Sequence, residues 1–268
     1  MAQVRIGVVL GWAVALLLMV SPLGAQQTSS TDQNKSEEQA MAVLKRMADF
    51  LSQAQRFSVT VDMGFDSVQD NGQKIEFGET RKILLSRPDL LRIDTTKRNG
   101  AKDEVIFDGK DITVVIPKEN VYATDARPGT VDEAIAYFVN DLGMRLPLAE
   151  LLDSNMAKML PEQVREAAYV EQSSIGGIAC DHIALRGDEV DAQLWVAQGD
   201  KPLPQRIVIT YKREDGRPQF WANLTEWNLS PKVSNSMFTF TPPKGAAKIA
   251  FSPRQMLQPG APKTKGGK

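Results

Sequence analysis

The sequence predicts a mainly β chain with helices: an α+β fold of one strongly curved antiparallel sheet, covered by an amino-terminal helix and a central helical insert. Three observations predict it. Apolar residues alternate at period two in run after run; Phe57, Val59, Val61, Met63 and Phe65 are interleaved with Ser58, Thr60, Asp62, Gly64 and Asp66. The runs are joined by short turn signals, among them Asn71-Gly72, Asn99-Gly100, Asp108-Gly109, Gly176-Gly177 and Asp215-Gly216. Such links suit hairpins and leave no room for crossover helices. Helical periodicity appears in one amino-terminal stretch and one central stretch.

Taken in order, Glu37 to Gln55 reads as a helix. Met41, Leu44, Met47, Ala48 and Leu51 recur at three- and four-residue spacing, and Glu37 and Glu38 suit the positive end of its dipole. The strand Phe57–Phe65 follows and returns through Ile75, Phe77, Ile83 and Leu85 to Pro88. Leu91 and Ile93, Glu104–Phe107, Ile112–Ile116 and Val121–Thr124 continue the meander. Thr130-x-x-Glu133 is a capping-box pattern that opens the insert, with Gly143 as its stop. Met144 to Leu160 is rich in Leu and Met, and Pro161 is expected to start a further helical turn. Strands resume at Tyr169–Ile175, Ile178–Leu185, Val190–Val196, Ile207–Tyr211 and Phe220–Trp227. Phe238 and Phe240 suggest a short edge strand before Pro242-Pro243, for about ten strands in all. An antiparallel sheet with one apolar face needs a cover, so the helices are expected to plug its concave side.

Residues 1–25 read as a secretory signal peptide. Arg5 gives a positive start, Ile6 to Val20 is uncharged, and Ser21-Pro22-Leu23-Gly24-Ala25 ends in small residues, with cleavage expected after Ala25. Fifteen apolar residues are short for a membrane span, and no Cys follows for lipidation. A soluble periplasmic product is expected, without a membrane span after signal removal. Residues 26–36 are polar and expected to be a disordered linker, 37–251 a single domain, and 252–268 a disordered basic tail.

The chain has 268 residues, 32 Lys+Arg, 33 Asp+Glu, one His and one Cys. The formal charge of -1 hides a division: Arg5 supplies +1 and the last 42 residues +7, which leaves -9 on residues 26–226. No overall positive field is available for nucleic acid, which is excluded as a partner. The basic end is read as a solubilising tail, with attraction to anionic lipid as the alternative. One Cys forbids an intramolecular disulfide, and a single His with a single Cys excludes two-His and CxxC metal sites. Cys180 falls within a strand and is expected to be buried.

The carboxy-terminal half carries a specific series. Gly177-Ile178-Ala179-Cys180-Asp181-His182-Ile183 is followed by Gln193-Leu194-Trp195-Val196, then Pro202-Leu203-Pro204-Gln205-Arg206-Ile207-Val208-Ile209-Thr210-Tyr211-Lys212. Pro218-Gln219-Phe220, Trp227-Asn228-Leu229-Ser230-Pro231 and Phe238-Thr239-Phe240-Thr241-Pro242-Pro243-Lys244-Gly245-Ala246 complete it. The series resembles the predicted periplasmic proteins of domain of unknown function 2092, over about residues 37–251. That family is similar in architecture to the LolA/LolB/LppX-like envelope proteins. The resemblance implies an incomplete antiparallel barrel with helices over a hydrophobic cavity, and lipid or acylated cargo.

No enzyme is expected. There is no G-x-S-x-G elbow, P-loop, H-E-x-x-H or EF-hand loop. Asp181 and His182 are adjacent in a strand and point to opposite faces, so His182 is read as structural. Asp188, Glu189 and Asp191 are read as a solvated turn, and no cofactor or metal is expected. Candidate cavity walls are Val59, Val61, Met63, Phe65, Phe77, Ile93, Phe107 and Val114; the same alternation would line a dry core. Met144, Leu148, Leu152, Met156 and Met159 are candidates for a pliable lid, with ordinary core filling as the other reading. Trp195 is out of phase with Leu194 and Val196 and is expected to project outward. The expected function is non-catalytic binding or carriage of a lipid or acyl chain. The alternative is a protein-interaction or sensor module in envelope assembly or stress, with an envelope protein partner.

Overall fold

The computed structural model describes residues 25–144 and 146–251. The signal run at 1–24 and the basic tail at 252–268 lie outside the described residues. Strands β1 (Arg56–Val68), β2 (Lys74–Ser86), β3 (Leu90–Lys97), β4 (Lys102–Phe107), β5 (Asp111–Ile116) and β6 (Val121–Ala126) form the first meander. Strands β7 (Glu166–Ile175), β8 (Ile178–Arg186), β9 (Val190–Ala197), β10 (Pro204–Tyr211) and β11 (Gln219–Asn228) form the second. Pairing of β1 with β11 fuses them into one sheet of order β12-β6-β5-β4-β3-β2-β1-β11-β10-β9-β8-β7, where β12 is Ala247–Lys248. Every pair is antiparallel except β12 with β6, and the sheet is not closed: β12 and β7 end it.

This topology fixes where the insert runs. β6 lies near one end of the sheet and β7 at the other, so the chain between them must travel across the sheet. It does so as α2 (Val131–Ala136), a π turn at Tyr137–Asp141, a 3-10 turn at Ala149–Leu152 and α3 (Met156–Glu162). Pro161 lies inside α3 rather than at the start of a new turn; with helical residues already before it, its missing N–H falls near the exposed end.

The amino-terminal helix α1 (Ala25–Gln53) is longer than expected at its start and two residues shorter at its end. Residues 26–36, expected as a disordered linker, are helical. Ala40, Val43, Leu44, Met47, Ala48 and Leu51 bury one stripe against β7, β8 and the insert. Once that stripe is docked, each further residue extends an existing helix and needs no new nucleus. Ser36 pins the added turns: its Oγ donates to Tyr169 O at 3.2 Å and accepts from Tyr169 N at 3.0 Å.

The capping box at α2 forms as read. Thr130 Oγ1 accepts from Glu133 N at 3.3 Å, and Glu133 Oε2 accepts from Thr130 N at 2.7 Å. Thr130→Ala is expected to lower stability by about 1 kcal/mol. Amide exchange should show the loss of protection concentrated in α2, and unchanged protection there would contradict the role of the box.

Phe238 and Phe240 do not form the expected edge strand. The segment after β11 makes a 3-10 turn at Asn235–Met237, and the edge is supplied by β12. Phe238 is instead fully buried, and Phe240 tilts against Tyr122 with ring centroids 5.0 Å apart. Packing of the two rings holds this strap without a ladder of its own.

Candidate functional site

Register carries side chains into rows across the concave face. One row reads Phe57, Leu85, Leu91, Phe107, Ile112, and the next reads Val59, Ile83, Ile93, Val105, Val114. Two residues further along, Val61 pairs with Arg81, Arg81 with Thr95 and Thr95 with Asp103. In the row after that, Met63 pairs with Glu79 and Glu79 with Lys97. Across β1 to β5 the concave face is therefore apolar in the first two of these rows and carries charge in the next two. Glu79 and Arg81 form an ion pair at 2.5 Å, and Lys97 and Asp103 another at 2.5 Å.

A cavity of about 140 Å³ lies between this face and the insert. Met63, Ile93, Phe107 and Val114 line it, joined by Ile83, Leu91, Val105 and Ile112 from the sheet. Met144, Leu148 and Leu152 line it from the insert, with Ala134, Ile135, Phe138, Leu146 and Ala149. Glu79, Arg81, Thr95, Lys97 and Asp103 close the polar end.

The other expected wall and lid residues fall elsewhere. Val59 and Val61 face the concave side and are buried in the core beside lining residues, but do not line the cavity themselves. Phe65 and Phe77 lie beyond the charged rows, stacked on each other at 6.1 Å, with Phe77 partly exposed. Met156 is fully buried in the core that α1 and α3 share, and Met159 on α3 is half-buried and does not line the cavity. The charged groups carry no mark in the sequence, because Glu79 and Arg81 interrupt an apolar strand as a solvent face would. The hairpin count could have found them: Met63 and Glu79 are equidistant from Asn71.

Arg87 fastens the insert to the sheet. Its side chain is 8% exposed, its Nε donates to Ala54 O at 3.1 Å, and its Nη1 donates to Leu152 O at 2.7 Å. Asp132 sits 3.6 Å from Nη1 and also accepts from Ser154 N at 3.0 Å. Burial pulls the guanidinium down from its ordinary value, opposed by Asp132 and Asp153. One side chain thus joins the end of α1, the start of α2 and the 3-10 turn.

The other residues singled out in the sequence have ordinary surroundings. Asp181 faces α1 and accepts from Arg46 and Tyr169 Oη, each at 3.1 Å, and from Gln198 at 2.7 Å. His182 faces the opposite way, 3.1 Å from Gln193 Oε1, and stacks on Trp195 at 4.0 Å. Trp195 thus projects from the convex face, with Arg206 5.7 Å from its ring. Asp188, Glu189 and Asp191 pair with Arg165, Arg213 and Lys212 in an acidic turn balanced by bases. Among the described residues no group of His, Cys, Asp and Glu could hold a metal ion. Also among them, no helix is long and apolar enough to cross a membrane.

Cys180 is buried, with its Sγ donating to Ile178 O at 3.3 Å. Burial pushes the thiol up from its ordinary value, so it stays protonated and unreactive at neutral pH. Iodoacetamide is expected to modify Cys180 only after denaturation. Stoichiometric labelling of folded protein would overturn that reading.

Two wider clefts, of about 460 and 430 Å³, lie on the convex face beside the carboxy-terminal strap. Arg92, Glu104, Lys82, Asp94, Glu226 and Lys232 mix charges of both signs along them. The cavity under the insert is smaller but lined mainly by apolar side chains from two separate layers, and it is the candidate site.

Residues 40–252 match the family described as predicted periplasmic protein (DUF2092). No curated protein matches the chain. Among solved structures, lipoprotein LppX from Mycobacterium tuberculosis is similar at 14% identity and a TM-score of 0.47, covering 74% of this chain and 100% of that one. LprF from Mycobacterium bovis gives 11% and 0.47, covering 74% and 96%. A LolA superfamily protein from Nitrosomonas europaea gives 13% and 0.38, covering 75% and 97%. Likenesses of this size carry no inference about ligand or partner.

Proposed function

We propose that this chain, which belongs to the DUF2092 family of predicted periplasmic proteins, binds a lipid or acyl chain between its curved sheet and its helical insert without catalysing a reaction on it. The observation that supports this is the apolar space beneath the insert. Its floor comes from the strands of the first meander and its roof from a separate, locally helical segment. A roof built from short helical pieces and a π turn can move as a unit without breaking the sheet ladder, and π turns concentrate at functional sites.

The cavity, at about 140 Å³, is smaller than the roughly 300–1,000 Å³ of drug-sized sites, and near the 150 Å³ or so that admits benzene. A full acyl chain therefore requires the insert to lift. Native mass spectrometry of protein purified from periplasm is expected to show a co-purified lipid that delipidation removes. Protein that carries no lipid and binds no alkyl probe at millimolar concentration would sink the proposal.

A second reading rests on the β7 edge. β7 ends the sheet, Val170 on it is 49% exposed, and Ile178 at the adjoining hairpin is also exposed. β7 pairs with β8 on one side, and beyond Tyr169, whose backbone groups Ser36 occupies, its outer edge suits strand addition by an envelope protein. Crosslinking from positions 166–175 in envelope extracts should trap one protein reproducibly; an empty trap would exclude this use of the edge.

A further inference from the structure

The charged end of the cavity bears on which head group an apolar ligand carries. Building on the carrier reading of this cavity, we infer that it takes an amphiphile with an anionic head, a carboxylate or phosphate, bound by Arg81 and Lys97.

Polarity along the cavity sets the orientation. Phe107 and Ile112 seal one end and are almost wholly buried. At the other end the side chains of Arg81 and Lys97 are 22% and 26% exposed. An alkyl chain lies with its tail toward Phe107 and its head toward these cations.

Of the four charged groups only Glu79 is withdrawn, at 3% exposed; Asp103, at 19%, is about as open as Arg81. Arg81 directs both Nε, at 2.7 Å, and Nη2, at 2.5 Å, at the single oxygen Oε1 of Glu79. That geometry leaves Nη1 outside the pair, on a side chain that lines the cavity. Lys97 lies directly across from Glu79 on the neighbouring strand, so both cations border the same patch of wall. Thr95, paired with Arg81, adds a hydroxyl.

Charged pairs in a cavity wall are a poor device for stability. Apolar side chains of similar volume would avoid their desolvation. What the pairs provide is a set of donors held in place before a ligand arrives. The ligand's anion takes the donors that Glu79 and Asp103 leave over, so neither internal pair has to break. Asp103 and Glu79 oppose a second negative charge, so a singly charged head fits better than a doubly charged one.

Calorimetry with octanoate, octyl phosphate, octanol and octylamine tests this at constant chain length. Octanoate is expected to bind at least tenfold more tightly than octanol, and octylamine no better than octanol. The preference should shrink as salt rises from about 0.05 to about 0.5 M, on the order of the loss expected for accessible charges. Arg81→Met and Lys97→Met should each cut the ratio of octanoate to octanol affinity severalfold. Equal binding of the four probes by the unmodified protein, or a preference that survives both substitutions, would overturn the anionic head while leaving the apolar carrier intact. Binding of none of the probes would overturn both. If a variant fails to fold, the salt series on the unmodified protein still decides.

Discussion

Arg87→Met should release the insert while the sheet stays folded. The change keeps an unbranched, buried side chain but removes donors from two carbonyls, Ala54 O and Leu152 O, and a cation from Asp132. Leaving buried acceptors unpaired costs about 1–3 kcal/mol each, and breaking a buried charge pair costs about 3–5 kcal/mol. Asp132 is partly exposed and keeps Ser154 as a partner, so a total of roughly 2–4 kcal/mol is expected. The loss should appear first as local opening, because Arg87 touches one end of α1 and two points of the insert, whereas the ladder beside it is built by backbone groups. Amide exchange is expected to rise over residues 130–162 with protection in β1, β2 and β11 retained. Arg87→Lys, with one nitrogen in place of three, should fall between. Unchanged exchange over the insert would show that the apolar roof alone holds it down.

The fold was largely legible because its strongest signals are local. Alternation in residues 57–65 and the turn residues at 71–72 specify a hairpin without reference to the rest of the chain. Thr130 and Glu133 specify a helix start three residues apart. The site was only half legible because it depends on register between strands. Ile93 and Val114 were found as apolar residues in alternating strands, and both line the cavity. Val59 alternates just as well, but only the position of the insert decides that it is core instead of wall. Arg81 and Lys97 look like surface charges until pairing with Val61 and Glu79 turns them inward. Arg87 precedes a proline and carried no pattern at all; its role comes from carbonyls 33 and 65 residues away. The same distinction explains residues 26–36. Their composition is that of a linker, and their helix depends on a packed neighbour.

The site can be tested most sharply by filling it. Ala134 on α2 is buried and faces the cavity. Ala134→Phe places a phenyl ring where the cavity offers about 140 Å³, close to the space of roughly 150 Å³ in which benzene itself binds a protein interior. The ring acts as a tethered ligand. It should fit with at most the 1–3 kcal/mol or so of strain that overpacking brings, and burial of the ring offsets part of that. Binding of octanol and octanoate should both fall at least tenfold, about 1.4 kcal/mol, since tail and ring compete for one volume. This separates the tail site from the head site: Arg81→Met alters the ratio between the two probes, and Ala134→Phe lowers both together. Val139→Phe is the matched control, because Val139 lies on the same insert but is exposed. If Ala134→Phe folds and binds both probes as before, the alkyl chain lies outside this cavity, and the clefts on the convex face become the place to look.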